Sequence, residues 1–116
     1  MDAGDQADVP FLRSFVEKHG GDFDIIVDDG GHTMVQQITS LIELFPSLKS
    51  GGLYFLEDLQ TSYLESYGGG YLNEKSTIEY IKKMIDGLYG QGEATQIIDQ
   101  IRHIDCYHEI CVFIKK

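Results

Sequence analysis

Two short stretches of the chain carry apolar residues at successive positions, and both end in acid. Phe23-Asp24-Ile25-Ile26-Val27 runs into Asp28-Asp29-Gly30-Gly31-His32, and Leu53-Tyr54-Phe55-Leu56 runs into Glu57-Asp58. Successive residues of a strand point to opposite faces, so an apolar run without alternation reads as a strand buried on both faces. Strands of that kind sit in sheets covered by helices, and the rest of the sequence supplies the helices.

Residues 9–18 predict a helix in which Leu12, Phe15 and Val16 share a face. Asp8 can cap its start, and Gly20-Gly21 end it. Residues 34–45 predict a second, with a stripe of Met34, Ile38, Leu41, Ile42 and Phe45. Thr33 and Gln36 have the spacing of a capping box, and Pro46 stops the helix. Residues 77–88 predict a third, started by Ser76 and Glu79 and lined by Ile78, Ile81, Ile85 and Leu88. Gly51-Gly52 open the second apolar strand. At the end, "IRHIDCY" and "ICVFIKK" predict an antiparallel hairpin turning at residues 107–109. The order predicts an α/β fold, a mostly parallel sheet of about four strands with a C-terminal antiparallel hairpin. No repeat, low-complexity tract or linker interrupts residues 1–116, which read as a single domain.

The formal net charge of −10 on 116 residues excludes nucleic acid and an anionic membrane surface as partners. A small molecule, a cation or another protein fits better. No apolar run approaches the roughly 20 residues of a membrane span. Cys106 and Cys111 are too few for a disulfide framework and read as small core residues of a reduced, cytoplasmic domain.

In open α/β sheets, ligands bind beyond the carboxyl ends of the strands, where "DDGGH" and "EDL" lie. If the two strands are neighbours, Asp28 or Asp29 faces Glu57 or Asp58. Carboxylates that close repel; a raised pKa or a hard cation such as Mg²⁺ resolves the conflict. His32, just beyond, is placed to take a proton from a substrate hydroxyl. The plainer reading is that Asp29 and His32 only shape a strand-to-helix turn. Residues 61–71, "TSYLESYGGGY", read either as a lid closing Tyr63, Tyr67 and Tyr71 over a ligand or as a surface loop. No glycine fingerprint, P-loop or nucleophile elbow is present.

The segments "GDQAD", "FDIIVDDGGH", "LFPSLKSGGLYFLEDLQTSY" and the following glycines occur in an order and spacing that resembles one family. It is the metal-dependent, S-adenosylmethionine-using O-methyltransferases that act on macrolide sugars, of the mycinamicin and tylosin tailoring type. The resemblance runs from Asp5 to Lys115. It implies a Rossmann-like methyltransferase fold, truncated to the C-terminal half of a class I domain. The missing strands would carry the glycine-rich loop that holds the cofactor. It also implies Asp29 and His32 at the reaction centre, with His32 as general base. It places Asp5, Gln6 and Asp28 on the cofactor side, and Asp29, Glu57 and Asp58 around a divalent cation such as Mg²⁺. The implied substrate is a small-molecule hydroxyl. Two other functions fit the same residues: an S-adenosylmethionine-independent isomerase, cyclase or lyase, and a non-catalytic dimerising fragment. Without a flanking strand, residues 24–28 form an exposed apolar edge, which predicts a homodimer joined there.

Overall fold

The structure, a computed structural model, describes residues 6–93 and 95–116. Helix α1 spans Val9–His19. Asp8 caps it by accepting from the Phe11 amide at 3.1 Å, Pro10 lies in its first turn, and Gly20 ends it in the left-handed region at φ +81°. Strand β1 (Phe23–Asp28) leads into helix α2 (Met34–Leu44). Both arms of the expected capping box form: the Thr33 hydroxyl accepts from the Gln36 amide at 3.2 Å, and Gln36 Oε1 accepts from the Thr33 amide at 3.3 Å. Pro46 lies in a single 3₁₀ turn, Phe45–Ser47, that delivers the chain to β2 (Leu48–Leu56). Gly51 and Gly52 lie inside β2, not at its start. Two 3₁₀ turns, Leu59–Tyr63 and Glu65–Tyr67, precede helix α3 (Thr77–Leu88), where the Ser76 hydroxyl accepts from the Glu79 amide at 3.2 Å. Strands β3 (Ile101–Tyr107) and β4 (Ile110–Lys115) form the expected hairpin. No helix among the described residues is long and apolar enough to cross a membrane.

The α/β class and the four strands are as expected. The sheet order is β1-β2-β4-β3, and the sheet is mixed: β1 runs parallel to β2, while β4 runs antiparallel to both of its neighbours. The hairpin inserts its second strand beside β2, which turns two of the three pairings antiparallel.

Burial departs from the expectation that β1 and β2 are covered on both faces. Ile26, Tyr54, Phe113 and Ile104 lie level across the sheet on its inner face. There Tyr54, Leu56 and Phe113 join Leu12 of α1, Leu41 and Leu44 of α2, and Ile81 and Met84 of α3 in one core. The alternate residues Ile25, Leu53, Ile114 and His103 share the outer face, as do Val27, Phe55, Val112 and Asp105. Ile25 is 57% and Val27 59% exposed, so the apolar run is covered on one side only. The three helices of the described residues all contribute to the core on the inner face.

Helix α2 is also turned relative to its apolar stripe. Its buried face is Met34, Gln37, Ser40, Leu41 and Leu44, with Ile38 and Ile42 half-buried. Two polar side chains win inward positions because each finds buried partners, which removes the cost of desolvating them. In α3 the buried set is Thr77, Ile81 and Met84, while Ile85 and Leu88 stay more than a third exposed. The two cysteines also differ from expectation: Cys106 and Cys111, level on β3 and β4, form a disulfide, with Cys111 buried and Cys106 exposed.

Candidate metal centre

The parallel register sets the site. Asp28 is level with Leu56, so the two acidic strand ends emerge side by side. The Glu57 amide continues the pairing one step further, donating to the Asp28 carbonyl at 3.1 Å. Beyond it the chain turns sharply, with Asp58 in the left-handed region at φ +59°. Aspartate is among the few residues that enter this region at modest cost, and its side chain is swung toward the β1–α2 loop.

Three of the expected residues converge. Asp29, His32 and Asp58 each offer one ligand atom, and these atoms lie within 4.8 Å of one another. His32 Nε2 is 3.0 Å from Asp58 Oδ2. The Asp58 carboxyl is held below its usual range, above all by the Gln60 amide at 3.4 Å. Asp29 and His32 add to this against the opposing effect of partial burial. Two carboxylate oxygens and an imidazole, Asp29 exposed and the other two half-buried, form a donor set suited to a hard divalent cation that keeps several waters. Glu57 is half-buried and lies outside this group.

Asp28 points the other way, into the core. Its carboxylate accepts from Gln6 Nε2 at 2.7 Å, Ser40 Oγ at 2.6 Å and the Tyr54 hydroxyl at 2.6 Å. Gln6 is itself buried, and its Oε1 accepts from the Gly31 amide. A Cβ on Gly31 would sit 2.7 Å from Gln36 Cδ and 2.8 Å from Gln36 Cβ, so only glycine lets the turn pass there. Gln6 and Asp28 thus brace the turn that presents Asp29 and His32. Asp5 lies outside the described residues.

The three tyrosines of residues 61–71 divide. Tyr67 meets the His32 ring edge-on with centroids 6.0 Å apart, while Tyr63 and Tyr71 stack on each other at 6.5 Å. The segment is not a slack loop: Gly70 donates to the Ser62 carbonyl at 2.8 Å and Gly69 to the Leu64 carbonyl at 3.0 Å. A cavity of about 410 Å³ opens along β1 beside the carboxylates, walled by Phe15, Phe23, Ile26 and Leu44 and reaching Asp29 and Gly30.

Gln37, Ser40, Tyr54 and Thr61 escape the sequence reading. Gln37 is fully buried; its amide lies 3.4 Å from the Glu57 carbonyl, and its Oε1 accepts from Thr77 Oγ1 at 2.7 Å. The only trace in the sequence is the spacing of Gln37, Ser40, Leu41 and Leu44 on one helical face.

No family model matches the chain. It is similar to O-methyltransferases of Streptomyces and Micromonospora. It is 40% identical over 86 residues to the 8-demethyl-8-alpha-L-rhamnosyl tetracenomycin-C 2'-O-methyltransferase of Streptomyces olivaceus, a match covering 73% of this chain and 22% of that protein. It is 36% identical over 91 residues to the mycinamicin VI 2''-O-methyltransferase of Micromonospora griseorubida, covering 76% of this chain and 23% of the relative. Among solved structures, the MycE methyltransferase in complex with Mg and SAH matches with a TM-score of 0.84 at 33% identity. That match covers 97% of this chain and 30% of MycE. The same enzyme with Mg, SAH and mycinamycin VI matches equally, with a TM-score of 0.84 at 32% identity. The chain spans under a quarter of the length of these curated relatives.

Proposed function

We propose that this chain, similar in sequence and fold to one segment of the macrolide-sugar O-methyltransferases, serves metal-dependent methyl transfer to a hydroxyl of a small natural product. The observation that carries the proposal is the convergence of Asp29, His32 and Asp58 at the ends of two adjacent parallel strands. The likeness to a methyltransferase structure holding Mg and SAH supports it.

Asp29 and Asp58 would hold the divalent cation through their carboxylates, and His32, whose ring also reaches that spot, would stay off the ion and serve as the base. When bound, the cation would lower the pKa of a coordinated hydroxyl. S-adenosylmethionine would supply the methyl group, with the cavity along β1 contributing one wall of its site. The chain's own residues supply the base. With Nε2–H donating to Asp58, His32 keeps the lone pair on Nδ1 free to accept the hydroxyl proton. Asp58 also stabilises the imidazolium that results. Tyr67, edge-on to His32, shields one side of the ring and orients it.

Two copies are proposed to pair through β1. Its outer edge has no strand partner among the described residues, and it carries exposed Ile25 and Val27.

Methyl transfer from labelled S-adenosylmethionine to a deoxysugar hydroxyl in Mg²⁺ tests the reading. Activity is expected to vanish in His32→Ala and in Asp29→Ala. Turnover that persists in both variants, or product formed equally well without S-adenosylmethionine, would overturn it.

A further inference from the structure

The two segments that carry the candidate ligands meet at one buried hydroxyl. Thr61 is 5% exposed and lies in the 3₁₀ turn three residues after Asp58. Its Oγ1 is 3.0 Å from the carbonyl oxygen of His32 and 3.0 Å from that of Asp58. Its backbone N–H donates to the same Asp58 carbonyl at 3.2 Å. A threonine hydroxyl has one proton, so it is shared between the two carbonyls or alternates between them. His32 belongs to the loop after β1, and Asp58 to the turn after β2. The hydroxyl therefore ties, at the level of the backbone, the two loops that must stay in register for the three ligand atoms to converge. At φ +59° an aspartate pays only a modest cost, and the Thr61 hydroxyl and amide on its carbonyl help to keep that turn in place.

We infer that Thr61 is the positioning residue of the candidate metal centre: its hydroxyl fixes the separation of the His32 and Asp58 backbones and so holds their side chains within reach of one ion. It touches neither ion nor substrate. The inference rests on the metal-centre reading given above, and its test separates the two.

Thr61→Val keeps the shape and removes the hydroxyl, Thr61→Ala is a second hydroxyl-free variant, and Thr61→Ser restores the group. Circular dichroism checks the fold of each. Mn²⁺ alone serves as the probe, read by paramagnetic resonance on the whole chain. Loss of the hydroxyl is expected to weaken Mn²⁺ binding about 10- to 100-fold, the usual effect of removing a residue that orients metal ligands, while Thr61→Ser stays near wild type. A second readout needs no metal. At fixed pH, Asp58→Asn is expected to move the His32 ring ¹⁵N signals in the wild-type background and to move them far less in the hydroxyl-free background. If wild type binds no Mn²⁺, the metal-centre reading fails, and the ring signals still decide the role of Thr61. If hydroxyl-free variants bind Mn²⁺ like wild type and answer Asp58→Asn with the same shift, the inference is wrong.

Discussion

Removing the Tyr54 hydroxyl tests the buried network beneath the site. Tyr54 is fully buried, and its hydroxyl donates to Asp28 Oδ2 at 2.6 Å. Tyr54→Phe leaves the ring packing between Phe45 and Phe113 intact, so no large cavity opens. What is lost is one hydrogen bond to a buried carboxylate, worth about 2 kcal/mol. The Asp28 contacts to Gln6 and Ser40 remain. With a urea slope of about 1.5 kcal/mol/M, usual for a chain of this size, the midpoint falls by about 1.3 M. The pH dependence provides a sharper check. Burial first, then the charge of Asp28, pushes the Tyr54 hydroxyl well above the ordinary tyrosine pKa of 10.0. Above pH 10 the unfolded chain therefore releases a proton that the folded chain keeps, and wild-type stability falls as pH rises. At pH 11.5, about 1.5 units above the unfolded value, wild type has lost up to about 2 kcal/mol that the phenylalanine variant never had to lose. Tyr80 and Tyr107, also shifted upward, are present in both proteins and cancel in the difference. Urea unfolding at pH 8, 10 and 11.5 should show a gap that starts near 2 kcal/mol and narrows as pH rises. A gap under about 0.5 kcal/mol at pH 8, or one that stays constant to pH 11.5, would refute the account.

Breaking the Cys106–Cys111 bridge, by Cys106→Ser with Cys111→Ser or by reductant, should cost about 2 kcal/mol for so short a loop, read by denaturation; two titratable thiols in the native protein would refute the pairing. Thr33→Ala removes one arm of the capping box and should lower stability by about 1 kcal/mol in thermal unfolding. Val27→Glu on the open edge of β1 should shift the chain from dimer to monomer in light scattering at micromolar concentration. A wild type already monomeric there would remove the dimer from the proposal.

Much of the fold is legible because it is local. The Asp8 cap, the Thr33–Gln36 box and the hairpin turn before Ile110 are decided by residues within a few positions of one another. The strand-end acids are legible too, since topology alone brings Asp29 and Asp58 together once β1 and β2 pair. One-sided burial is not legible, because Ile25-Ile26-Val27 reads the same whether one face is covered or two. The supporting polar groups stay hidden for a related reason. Gln37 and Ser40 look like solvent-facing residues until partners are found 40 positions away at Thr77 and 12 away at Asp28. Asp28 and Asp29 are indistinguishable in sequence, yet the pleat sends one into the core and the other to the site.

The outer sheet face governs how this protein behaves in solution. Ile25, Val27, Leu53, Phe55, Val112 and Ile114 lie on one side of the sheet, the first two exposed and the other four half-buried, and against that apolar surface stands a formal charge of −10. Beyond the proposed dimer, repulsion between chains of like charge opposes further association, and salt screens it within about 8 Å at physiological ionic strength. Solubility should therefore be highest in dilute buffer and decline as salt is added, most steeply with sulfate, which also strengthens apolar association. A solvatochromic dye that brightens on apolar surfaces should light up on the native protein, without any unfolding.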